Sequence, residues 1–240
     1  MAPQTRVLCK VIKIEQTSNT ISKITLSPNA RLTLMAGQYI NVYLNPAKAL
    51  AYSIASSPLE HNLQLLIFHG RNDENINFFR NNKSNIEISL PQGNAYYRQN
   101  KNVLLGIGKG LGIAPIRSII DYLININSNH KVFIFYVVYT EDEIIIGKHF
   151  DQLVEQAKQS KILLDIEYKP IMINGRYDLE KVYGNLVKLN EKDLLNVSDF
   201  YVFGSNDFVM NIHHALAPFC KNNFFTDAQL MSKMGDANER

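Results

Sequence analysis

Two short stretches carry the residues best suited to chemistry. In "LAYSIASSP" (residues 50–58) an aromatic ring, Tyr52, stands beside a hydroxyl, Ser53. Neighbours on a strand face opposite ways. The pair therefore offers a flat surface and a hydrogen-bond donor to a planar ligand, or it is a half-buried strand edge. In "GIGKGLGIAP" (106–115) three glycines, Gly108, Gly110 and Gly112, sit two apart. Such a turn between a strand and a helix lets backbone N–H groups approach a pyrophosphate at the helix N-terminus. Glycines at that place also serve close packing. Pro115 falls in the first helical turn, where its missing N–H costs nothing. A third stretch, "YVFGSNDF" (201–208), ends a strand in Gly204, Ser205 and Asn206. These could cap the next helix or touch a ligand resting on the same sheet edge.

The elements that must position these residues change character near residue 100. From 7 to 90, the runs "VLCKVIKI", "TISKITL", "GQYINVYL", "AYSIAS", "LQLLIF" and "IEISL" are separated by turn residues. In the last, Ile86, Ile88 and Leu90 alternate with Glu87 and Ser89, the period of a half-buried strand. Such runs predict an antiparallel barrel, with "NINFFRNN" near 75–82 as an interrupting helix. Beyond residue 100, apolar strands at 102–108, 131–139, 162–168 and 199–205 alternate with helical patterns at 113–126, 148–159, 178–189 and 208–219. That alternation predicts βαβ units and a parallel sheet covered on both faces. The reading is two domains, 1–99 a β-barrel and 100–240 an α/β domain, joined near the polar "YYRQNKN".

Composition excludes several classes. The 240 residues carry 25 basic and 22 acidic side chains, a net charge of +3. With no clustering of the basic ones, this is no footprint for nucleic acid. No apolar run reaches the length of a membrane span. The two cysteines, Cys9 and Cys220, are too few for an iron–sulfur cluster, and nothing has zinc-ligand spacing, so no metal site is expected. "MAPQTRVLCKV" lacks the apolar core of a signal peptide, which with so few cysteines leads to an expectation of a reduced, cytoplasmic protein.

Taken in order, "CKVIKIEQTSNTISKITL", "AGQYINV", "AYSIASSP", "PQGNAYYR", "GLGIAPIRSII", "YVFGSNDF" and "FFTDAQ" resemble the ferredoxin–NADP reductase-like family nearly end to end. Within it they look like the bacterial NAD(P)H:flavin oxidoreductases. The resemblance implies a six-stranded antiparallel flavin-binding barrel followed by a nicotinamide-nucleotide domain. It further implies hydride transfer from NADH or NADPH to a flavin: riboflavin, FMN or FAD. By position, Tyr52 would lie against the isoalloxazine and Ser53 would bond to flavin N5, with Ile54, Ala55 and Tyr39 also on the flavin side. Gly108, Lys109, Gly110, Leu111 and Gly112 would cradle the nucleotide, and Gly204, Ser205 and Asn206 would line the nicotinamide pocket.

Four positions depart from the family pattern. Leu50 stands where the family's arginine pairs with the flavin phosphate, which leucine cannot do. Lys48 is near in sequence but is expected to point elsewhere. This favours flavin as a loosely held substrate over a tightly held FAD. Lys109 replaces a loop glycine, Leu111 a threonine and Phe203 a cysteine. These departures leave open a catalytically weakened or non-catalytic relative that keeps the two-domain fold. A further alternative is an electron-transfer subunit serving a partner oxygenase or dehydrogenase, though such subunits usually carry clustered cysteines for an iron–sulfur module, which this chain lacks. His213 and His214 read as surface residues, His69 as structural and Cys220 as a helix-end filler. Thr140, Glu141 and Asp142 follow the second strand of the α/β domain, where NADP-users of the family carry arginine. Acidic groups there repel a 2′-phosphate, so NADH is the expected coenzyme. Steady-state comparison should give kcat/KM for NADH above that for NADPH; an advantage of about tenfold for NADPH would refute this.

Overall fold

A computed structural model describes residues 5–69, 74–138, 152, 155, 165–172, 195–196, 198–220 and 222–226, with only the main chain for 165–172. The expected helix at 148–159 is described only at residues 152 and 155, both helical. The expected helix at 178–189, and Thr140, Glu141 and Asp142, lie outside the described residues.

The first sheet has six strands: β1 (Arg6–Gln16), β2 (Ile21–Pro28), β3 (Tyr39–Asn45), β4 (Lys48–Ser53), β5 (Leu63–Phe68) and β6 (Ile86–Ser89). They pair antiparallel in the order β4-β3-β6-β1-β2-β5. A bridge between Ile54 and Leu65, and the Ala55 N–H donating to the Gln64 carbonyl at 2.7 Å, join the edge strands at one corner. The sheet is thereby rolled into a barrel. Ile24, Leu26, Ile40, Val42, Ile86 and Ile88 fill its interior, and helix α1 (Glu74–Asn81) adds Ile76 and Phe79. The alternation expected for "IEISL" fails at its end. Strand β6 stops at Ser89, which is fully buried, while Leu90 is exposed. The Ser89 hydroxyl donates to the Leu90 carbonyl and accepts from the Asn41 N–H, so a buried polar group is satisfied.

The second sheet runs β11-β10-β7-β8-β9, all parallel. Its strands are β7 (Val103–Lys109), β8 (Lys131–Val138), β9 (Asp165–Met172), β10 (Ser198–Phe203) and β11 (Phe224–Phe225). Strand β9 runs past the expected end at residue 168, to Met172. It runs through Pro170, which an edge strand tolerates. Side chains alternate between two apolar layers. Phe133, Phe135, Val137, Phe200 and Val202 face helix α3 (Asn206–Leu216) through Phe208, Val209, Ile212 and Leu216. Val132, Ile134, Tyr136, Val138, Tyr201 and Phe203 face helix α2 (Ile113–Asn125). This second layer continues into the barrel through Ile21, Ala36, Ala55, Leu66, Ala95 and Tyr97, so one apolar cluster spans both sheets. Among the described residues no helix is long and apolar enough to cross a membrane.

One buried carboxylate works against this packing. Asp199 of β10 is 2% exposed. Burial pushes its carboxyl up from its ordinary 3.8 to about 6, against the pull of Lys101 and Arg98. Between those values the folded chain keeps a proton that the unfolded chain has lost, so the stability from this group falls as pH rises across the window. Asp199→Asn should therefore gain stability over the wild type between about pH 4 and pH 6 and hold that gain above it. Thermal melts across pH test this; a constant difference from pH 4 upward would contradict it.

Candidate active site

The glycine turn is built by two different demands. Strand β7 continues through Lys109, whose backbone is extended (φ −119°, ψ 126°), so a side chain is allowed where the family pattern has glycine. A single 3-10 turn, Gly110–Gly112, then leads into α2. Gly110 has φ +54° and nothing near its missing Cβ; it is there for its backbone. At Gly112 a Cβ would come within 2.3 Å of the Phe203 carbonyl oxygen. It is there so that the turn can lie on the end of β10. Close packing thus explains one glycine and chain reversal another. The N-cap of α2 is Gly112, and its first turn holds no acid.

On the barrel, register decides what β4 presents. Tyr52 pairs with Ile40 and Ser53 with Tyr39. Directly paired residues share a face, so Tyr52 leans toward the barrel interior with Ile40 and Ser53 faces outward. The Tyr52 ring meets Phe79 edge-on, with centroids 6.1 Å apart, and is half-buried. No hydrogen bond to the Ser53 hydroxyl is present among the described residues.

Between barrel and sheet lies a cleft of about 440 Å³, within the range of small-molecule sites. The barrel contributes Ala51, Tyr52, Ser53 and Leu66. The α/β half contributes Lys109, Gly110, Leu111, Gly112, Ala114, Phe203, Gly204 and Ser205. Of the residues expected at the site, Tyr52, Ser53, Lys109, Gly110, Leu111, Gly112, Gly204 and Ser205 therefore converge. Ile54, Ala55 and Gly108 are buried behind them, and neither Tyr39 nor Asn206 is among the lining residues. Ser205 takes the N-cap position of α3 without a side-chain capping bond. Ala51, Leu66, Ala114 and Phe203 were not expected. Ala51 and Phe203 adjoin expected residues in sequence and Ala114 comes two after Gly112, whereas nothing in the sequence marks Leu66, which β5 brings in from the far edge of the sheet. Lys109 is the one charged side chain lining the cleft among the described residues, and its ammonium lies 5.8 Å from the Phe208 ring centroid.

Other groups take structural places. Leu50 pairs with Val42, and Lys48 lies 3.9 Å from Glu74. His69 is buried, its Nε2 2.9 Å from the Ser22 hydroxyl. His213 is less exposed than a surface reading implies: it packs edge-on against Phe224 at 4.9 Å, and burial lowers its pKa. Burial pushes the thiols of Cys9 and Cys220 up to about 12, which leaves both weakly nucleophilic. Among the described residues no group of acidic, histidine and cysteine side chains could hold a metal.

A six-stranded antiparallel barrel followed by a parallel sheet, with a cleft between them, is the ferredoxin–NADP reductase fold. It is shared with a ferredoxin–NADP reductase from Neisseria gonorrhoeae solved with bound FAD and NADP (TM-score 0.72, 16% identity, 94% of this chain and 98% of that one). A ferredoxin–NADP reductase from Plasmodium falciparum has the same fold (TM-score 0.71, 19% identity, 93% and 96%). Residues 107–209 match the oxidoreductase NAD-binding domain. In sequence the chain is 28% identical over 212 residues to a probable flavin reductase of Photobacterium leiognathi, spanning 85% of this chain and 87% of that protein. It is 23% identical over 214 residues to an NAD(P)H-flavin reductase of Vibrio harveyi, spanning 85% and 88%. The chain thus has the ferredoxin–NADP reductase fold, and its second half is similar to the oxidoreductase NAD-binding domain.

With Lys109 the one cation lining the cleft among the described residues, anion binding should depend on it. Lys109→Gln keeps an allowed backbone and should weaken binding of ADP-ribose about five- to tenfold, in line with one lost charge-assisted contact. Calorimetric titration measures this; an unchanged dissociation constant would show that the lysine points away from the nucleotide.

Proposed function

We propose that the protein is an NAD(P)H-dependent flavin reductase, with residues 1–99 holding the flavin and residues 100–240 the nicotinamide nucleotide. The observation that carries this reading is the convergence of Ser53 and the Lys109–Gly112 turn on one cleft from opposite sides. Neither half holds a complete site by itself. The shape fits the ligands: on the barrel side are an outward hydroxyl and small or flat side chains, and on the other a glycine turn at the start of a helix.

When bound together, a nicotinamide nucleotide supplies hydride and a flavin accepts it. What the chain must add is registration, because the ligands bring the chemistry. Ser53 offers its hydroxyl to the flavin ring edge that receives hydride. Tyr52 is braced by Phe79 and supports that ring. On the opposite wall, the N–H groups at the start of α2 and the Lys109 ammonium hold the pyrophosphate. Ala114 and Gly204 are small, so the two rings can approach. The leucine at position 50 offers no partner to a flavin phosphate. We therefore take flavin to be a transient substrate, with riboflavin accepted as well as FMN, and NADH to be the preferred donor. Reduced flavin released from the cleft would serve an acceptor elsewhere in the cytoplasm.

The test is NADH oxidation with each flavin added in turn, for wild type and Ser53→Ala. We expect turnover by the wild type. The variant should show kcat lowered by about one to two orders of magnitude, with the KM for NADH little changed, as for a bond that matters in the transition state. Full turnover by the alanine enzyme would remove Ser53 from the reaction. No turnover by the wild type with any flavin would remove the function.

A further inference from the structure

We propose that Arg117 and Ser118 of α2 are positioning residues, which set the spacing between the strand that carries Ser53 and the turn that holds the nucleotide. This rests on the flavin-reductase reading for its kinetic consequence, but the coupling itself is geometric. The turn at Gly110–Gly112 is continuous with α2, and Arg117 and Ser118 come one helical turn further on. From there both reach across to the barrel. The Ser118 hydroxyl donates to the carbonyl of Ser56 at 2.6 Å, and Ser56 is three residues beyond Ser53. The Arg117 Nη2 donates to the Gln64 side-chain carbonyl at 2.8 Å. Gln64 is in turn bound to the same segment: its N–H donates to the Ser56 hydroxyl at 3.1 Å, and its carbonyl accepts from the Ala55 N–H at 2.7 Å.

These bonds form a closed loop, Ser56 to Ser118, along the helix to Arg117, across to Gln64 and back to Ser56. Ser56 and Ser118 are fully buried, and Arg117 is 7% exposed. The guanidinium is anchored on its own helix by Asp121, with Nε 3.5 Å from Oδ2. A buried ion pair is a poor way to gain stability, since an apolar side chain of similar volume does as well or better. The apolar side chains of the same helix already share one cluster with barrel residues such as Ala36, Ala55 and Leu66, so helix and barrel would adhere without the pair. What directional bonds add, and oil does not, is one fixed orientation. Hydride transfer needs that: reacting atoms must come within about 3.5 Å, and a misplacement of about 1 Å costs on the order of a hundredfold.

The test uses Gln64→Ala combined with Ser118→Ala, which removes both cross-links while leaving the Arg117–Asp121 pair intact, so that folding is spared. We expect kcat to fall at least about tenfold, with KM for NADH and for riboflavin each within about twofold of wild type. The primary isotope effect on kcat with deuterated NADH should rise as hydride transfer becomes limiting. A second arm needs no activity. Spin labels at the exposed positions Ala49 and Asp207, with Cys9 and Cys220 replaced by alanine, report the distance between the two halves by pulsed electron resonance. A narrow distribution should broaden in the double variant. Unchanged kcat, a change in KM alone, or an unchanged distance distribution would each overturn the proposal. If the unaltered protein oxidises no NADH, the flavin-reductase reading fails separately, and the distance arm decides the coupling by itself.

Discussion

Everything at the cleft depends on one helix packed between two sheets. Every residue of α2 from Ile113 to Asp121 is buried, and its apolar side chains share one cluster with barrel residues such as Ala36, Ala55 and Leu66. Burial on this scale stabilises by roughly 25 cal/mol per Å² of apolar surface. It makes barrel and sheet behave as one packed body along this face. A cleft then opens beside the helix rather than between loosely tethered domains. Its walls are element ends: the end of β4, the turn after β7 and the end of β10. Ligands of open parallel sheets are received at such strand ends, and here the barrel supplies the opposite wall.

The chemistry available at those walls is sparse. Among the described lining residues there is one charge, on Lys109, and the remainder are apolar or carry hydroxyls. A site of this kind has little to offer a reaction needing proton transfer from carboxylates or imidazoles. It suits a reaction in which two ligands exchange a hydride and the protein's task is to aim them. The replacement of a loop glycine by Lys109 fits the same logic, because the extended backbone at that position carries a side chain without strain and the residue lines the cleft.

Much of this was legible in the residues. The period-two runs before residue 90 and the apolar strands after residue 100 marked the two sheets, because backbone pairing and side-chain alternation are local properties. The glycine turn, Ser53 and Gly204 with Ser205 were marked by residue type and place. What escaped notice depends on closure in three dimensions. Leu66 reaches the cleft only because the barrel rolls β5 round to meet the end of β4. Ile54 and Ala55 lie in the expected motif yet face inward, since the strand ends at Ser53 and the chain turns into the core. Ser89 and Leu90 exchanged their expected environments where β6 stops, because a hydroxyl with two backbone partners is cheaper to bury than its polarity suggests. The contacts of Gln64 with Arg117 join residues far apart in sequence, and no periodicity reveals such a pair.

The central claim is that the cleft brings a nicotinamide and a flavin into hydride-transfer contact. Its most direct measurement is an anaerobic single turnover, mixing the protein and riboflavin rapidly with NADH or with NADH deuterated at the transferred position. The account predicts that flavin is bleached in a saturable, protein-dependent step that the deuterated donor slows by a primary isotope effect. Bleaching no faster than in the absence of protein, with either donor, would contradict it.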